Sequence, residues 1–75
     1  MKELIEYIAK SIVDQPDEVV VTEESDEQGI RLKLQVADED KGRVIGKQGR
    51  VAQAMRSLIR VTAAKQGTRV TLEIL

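Results

Sequence analysis

The sequence predicts an α+β fold: a three-stranded mixed sheet with three helices packed on one face, in the order α-β-β-α-α-β. Three observations predict it. Apolar residues recur at helical spacing over residues 2–13 and again over 50–65. They alternate with polar ones, in a period of two, over 30–36 and 70–74. Two glycines, Gly46 and Gly49, interrupt the helical pattern between residues 41 and 65 and divide it in two. At 75 residues the chain has room for one hydrophobic core and no second lobe, and such chains bury only about 60–65% of their unfolded surface. One domain, residues 1–75, is therefore expected.

The elements follow in order. Ile5, Ile8 and Ile12, with Leu4, Ala9 and Val13, form one side of the first helix, and Lys2, Glu3, Glu6 and Lys10 form the other. Pro16 disfavours a helical residue before it and lacks the amide that a helix needs, so this helix must stop near Asp14-Gln15. Val19-Val20-Val21-Thr22 is a β-branched run and reads as the first strand. Glu23 to Gly29 is polar, ends in glycine and reads as a solvated hairpin tip; its carboxylates lack the ligand spacing of a calcium loop. Ile30, Leu32, Leu34 and Val36 alternate with Arg31, Lys33 and Gln35 in the second strand. Asp38-Glu39-Asp40 then places N-cap oxygens and negative charge at the start of a short helix, Lys41 to Ile45. The longest helix, Arg50 to Lys65, turns Val51, Met55, Leu58, Ile59 and Thr62 toward the core. Gln66-Gly67 ends it, and Val70, Leu72 and Ile74 mark the third strand. The first two strands form an antiparallel hairpin, and a right-handed crossover through both later helices lays the third strand parallel to the second.

Composition excludes several function classes. With no cysteine there is no disulfide framework and no thiolate metal site, and with no histidine the commonest general base and metal-binding nitrogen are both missing. No enzyme activity, catalytic residue, metal or cofactor is expected. The acidic residues of Met1-Lys2-Glu3-Leu4-Ile5-Glu6-Tyr7 interrupt any signal-peptide core, and no membrane-spanning stretch follows, so a cytoplasmic protein is expected.

Charge is divided along the chain. Residues 1–40 hold four basic and twelve acidic side chains, a net of −8, whereas residues 41–75 hold eight basic and one acidic, a net of +7. An anionic ligand responds to the patch that it touches, screened beyond roughly 8–10 Å, so a basic half can bind it although the whole chain is near neutral. Within that half lies Val44-Ile45-Gly46-Lys47-Gln48-Gly49-Arg50. Its glycines permit a sharp turn that another backbone can approach closely, Lys47 supplies charge, Gln48 a hydrogen-bonding tip, and Arg50 opens a helix whose first amides favour anions.

These residues resemble the GXXG loop of the KH domain, an RNA-binding module that clamps the backbone of about four nucleotides. The element order resembles the bacterial, type II, KH fold over the whole chain. The Val13-Asp14-Gln15-Pro16-Asp17 junction and Arg43 to Arg50 look more closely like the KhpA (YlqC) family of small bacterial KH proteins. That resemblance implies a cytoplasmic RNA chaperone that binds single-stranded RNA, self-associates or pairs with a KhpB (Jag, EloR)-type KH protein, and is linked to cell elongation and envelope homeostasis. Carried over by residue, it implies that Gly46, Lys47, Gln48 and Gly49 form the clamp. Lys41, Arg43 and Arg50 would add phosphate charge, and Val44 and Ile45, with Val36 and Ala37, would wall the base groove. Tyr7 is the only aromatic residue, so stacking platforms are absent and modest, salt-sensitive affinity is expected.

A second signal lies on the long helix, where Ala54, Ser57, Val61 and Ala64 form a stripe of small and apolar residues. Small residues let helices approach closely, and a dimer interface is expected there. The alternative function is a protein-interaction module with a KH-like fold and no nucleic-acid role of its own. Nucleotide-binding motifs fit poorly. Lys41 and Gln48 stand where a P-loop needs glycine and a hydroxyl residue, and Gly42, Gly46 and Gly49 have the wrong spacing for a dinucleotide fingerprint.

Overall fold

The computed structural model describes every residue from Met1 to Leu75. Helix α1 covers Lys2–Ile12, strand β1 Val20–Asp26, β2 Gly29–Gln35, α2 Lys41–Ile45, α3 Arg50–Lys65 and β3 Val70–Ile74, in the order read from the sequence. Single 3-10 turns at Pro16–Glu18, Asp38–Asp40 and Lys47–Gly49 join them. α1 ends somewhat before the stop expected near Asp14-Gln15: Val13 is already extended, and Pro16 opens the first of these turns.

β1 and β2 pair antiparallel, from Val20 opposite Gln35 to Asp26 opposite Gly29. β2 and β3 pair parallel, from Ile30 opposite Val70 to Leu34 opposite Ile74. The strand order β1-β2-β3 leaves β2 in the centre, so the connection from β2 through α2 and α3 is the crossover that brings β3 to the edge.

β1 is longer than its β-branched run. Glu23 to Asp26, expected at the hairpin tip, are paired strand residues, and only Glu27 and Gln28 remain in the turn. Cross-strand charge accounts for this. Arg31 lies 3.5 Å from Glu24 and 3.4 Å from Asp26, and Lys33 lies 3.2 Å from Glu24. Opposite charges on neighbouring strands stabilise a solvent-facing sheet surface that β propensity alone would not favour. The Asp26 carboxylate then accepts the Gln28 amide hydrogen at 2.8 Å and closes the turn.

The pleat sends Val21, Leu32, Leu34, Val70 and Leu72 to one buried face, while Arg31, Lys33, Thr22 and Glu73 stay on the other. Helices cover the buried face: Ile5 and Ala9 from α1, Val44 from α2, and Ala52, Met55, Ile59 and Ala63 from α3 complete the core. Burying a side chain such as Leu32, Leu34, Ile5 or Ile59 contributes roughly 1.5–3 kcal/mol. One expectation is corrected. Leu58, placed in the core from the helical pattern, is 49% exposed. α3 is turned so that its small residues, Ala52 and Ala63, are inward, where they let the helix lie close to the sheet; the bulk of Leu58 is left outside.

Candidate nucleic-acid interface

The fully buried side chain of Val44 anchors α2 in the core. The chain then leaves the helix through Gly46, at φ 77° and ψ 173°, with its amide bonded to the Gly42 carbonyl at 2.8 Å. This backbone region is open essentially to glycine alone. Packing imposes the same choice, because a Cβ on Gly46 would sit 2.9 Å from the Val51 backbone nitrogen and closer still to the Val51 side chain. Gly49 has φ 75° and ψ 13°, yet a Cβ there would meet nothing within 4 Å. The two glycines therefore differ: Gly46 is required by the chain's own packing, and Gly49 faces open space where another backbone can lie. Between them Gln48 is left-handed as well, at φ 58° and ψ 25°, which costs a non-glycine residue about 1–2 kcal/mol. This conformation turns Lys47 and Gln48 outward, and both are exposed.

Charge around the loop is unequal. Lys47 and Arg50 form no ion pair, and Arg50 reaches only the side-chain oxygen of Gln48, at 3.4 Å. Lys41 pairs with Asp38 at 3.2 Å. Arg43 pairs with Asp14 at 3.0 Å and lies 3.7 Å from Asp40. Of the four cations expected to serve a phosphate chain, two are free and two are already compensated by carboxylates.

Asp40 is a feature that the sequence reading missed. It was expected, with Asp38 and Glu39, as a helix cap, but no side-chain cap bond forms at α2. Its carboxylate is completely buried and accepts the amide hydrogens of Asp14, at 3.1 Å, and Gln15, at 3.0 Å. It thus ties the turn after α1 to the start of α2. The only local sign was the spacing of three between Asp40 and Arg43, which a helix brings together.

The groove wall needs a further correction. Val44 and Val36, at 0% and 5% exposure, are core residues and offer little surface to a base, whereas Ile45 is 41% exposed beside the loop and Ala37 is half-buried. Ile45 is the apolar surface on offer. A depression of about 760 Å³ lies elsewhere, between Asp26–Arg31 and Gly67–Thr71, and contains no residue of the glycine loop. No group of three or more carboxylates is arranged to hold a metal ion. No helix is long and apolar enough to cross a membrane.

On the outer side of α3, Ala54, Ser57, Val61 and Ala64 are all exposed. Leu58 joins them, so that an apolar stripe stands opposite the buried Ala52-Met55-Ile59-Ala63 face.

Residues 2–74 match the family model described as KhpA/KhpB, KH domain. A protein of Clostridium acetobutylicum named RNA-binding protein KhpA is 57% identical over 75 residues, covering all of both chains. Proteins of the same name from Clostridium perfringens, 51% identical over the whole of both chains, and Treponema pallidum, 50% identical over 99% of this chain and 92% of its own, are similar to it as well. No solved structure matches.

Proposed function

The chain belongs to the KhpA/KhpB family of KH domains, and from that premise we propose that it binds single-stranded RNA through the Gly46-Lys47-Gln48-Gly49 loop and acts as an RNA chaperone in the cytoplasm. The observation that carries this reading is the contrast at the loop: Gly49 faces open space while Lys47 and Arg50 stand beside it without a carboxylate partner. A phosphodiester backbone lies against Gly49, Lys47 and Arg50 neutralise its charge, and Gln48 donates or accepts at its edge. Ile45 provides the aliphatic surface for a base, and Val44 supports it from beneath. Lys41 and Arg43 take part only when they leave their intramolecular partners. With Tyr7 73% exposed on α1 as the only aromatic ring, no stacking platform adds affinity. The grip is therefore weak, tolerant of sequence and salt-sensitive, which suits a chaperone that must release its RNA.

Lys47→Asp combined with Gln48→Asp tests this. The double variant should keep its circular dichroism and melting temperature and lose at least tenfold in affinity for a labelled oligoribonucleotide at low salt. Unchanged RNA retention would move the function away from the loop.

The exposed stripe of α3 favours a second activity that is compatible with the first. Ala54, Ser57, Leu58, Val61 and Ala64 pair the domain, here taken as residues 1–75, with a second copy or with a KhpB-type KH protein. If the loop variant retained RNA, the interaction-module reading would rest on this surface.

A further inference from the structure

We propose that Asp14 limits RNA affinity by occupying Arg43 as an internal stand-in for a backbone phosphate. The inference rests on the RNA-binding reading above. Arg43 lies one helical turn before Gly46, and its side chain is 54% exposed. A guanidinium binds carboxylate and phosphate oxygens with the same planar fork, so one anion excludes the other at the same nitrogens. Asp14 contacts a terminal nitrogen of Arg43 at 3.0 Å, and Asp40 is 3.7 Å from its Nε.

The two carboxylates are not equivalent. Asp40 is completely buried and accepts two backbone amides, so it stays in place. Asp14 is 68% exposed, and its carboxylate has Arg43 as its one ionic partner. It is the exchangeable anion. Its position is nonetheless defined, because the amides of Asp14 and Gln15 are pinned by Asp40. The acidic α1–β1 connection, remote in sequence, is thereby held against Arg43, the cation of the turn that precedes the loop. A phosphate that takes Arg43 must first displace Asp14, whereas one that takes Lys47 or Arg50 displaces nothing but counterions.

Exposed ion pairs of this kind are weak, so Asp14→Asn should tighten binding of a fluorescein-labelled oligouridylate about two- to fivefold. Freeing one cation should also steepen the salt dependence, by about 0.7 in the slope of log K against log salt for a single strand. Three controls isolate the cause. Asp17→Asn removes the same charge from an exposed residue that forms no ion pair, and should change affinity less than Asp14→Asn. In an Arg43→Gln background, Asp14→Asn should have no effect. Asp14→Ser should reproduce the gain, with thermal melts confirming that both Asp14 variants fold. Equal or weaker binding by folded Asp14 variants overturns the inference and leaves the RNA reading intact, as does a gain that persists with Arg43→Gln or is matched by Asp17→Asn. A wild-type protein that fails to bind the probe at low salt overturns both.

Discussion

Gly46 and Gly49 are indistinguishable as letters in a G-x-x-G motif, but their surroundings separate them. An alanine at Gly46 must push against the Val51 backbone as well as adopt a glycine-only conformation. An alanine at Gly49 has free space and bears only the left-handed penalty. Gly46→Ala should therefore cost about 3 kcal/mol or more, and Gly49→Ala about 1–2 kcal/mol. Urea denaturation of the two variants checks the order. Gly49→Ala should nonetheless weaken RNA binding more than its stability loss explains, because the methyl group occupies the surface where a strand would lie. The sequence made the turn legible, since only glycine explains two breaks in a helical pattern. It did not separate the roles, because Val51 meets Gly46 only once α3 has folded back. Asp40 was hidden for the same reason: an acidic run reads as solvated until tertiary contacts bury one member of it.

At the level of elements, α3 was found but its rotation was not. Periodicity marked Leu58 as core because it is large and apolar, whereas the sheet needs close approach and takes Ala52 and Ala63. The two faces make opposite predictions. Ile59→Ala, at a fully buried site, should cost about 2–5 kcal/mol by denaturation. Leu58→Glu or Val61→Glu should change monomer stability by less than about 1 kcal/mol and abolish self-association in sedimentation at high concentration. Undiminished association would remove α3 as the interface. β1 shows the converse weakness of pattern reading. Its second half, Glu23 to Asp26, has no strand signal of its own and is held by Arg31 and Lys33 across the hairpin, information that resides in another element.

For the whole molecule, the separation of charge between the halves of the chain was fully legible, and folding modifies its meaning. The acidic half does not stay apart: Asp14, Asp38 and Asp40 reach into the basic half and neutralise part of it. The cations that remain for a ligand at the loop are Lys47 and Arg50, with Arg43 recruited on release of Asp14. A titration across salt concentrations should therefore give a slope of about −1.4 to −2.1, the value for two to three phosphate contacts on a single strand. A slope near zero would remove the backbone clamp. The connectivity has a kinetic consequence as well. The glycine loop sits inside the single crossover that carries the chain from the central strand to β3, so pairing β3 with β2 closes a connection that contains the bend and both helices. Such distant pairing is slow to form, and a lengthened bend would delay closure. The segment proposed to meet the ligand thus lies within the connection whose closure completes the sheet.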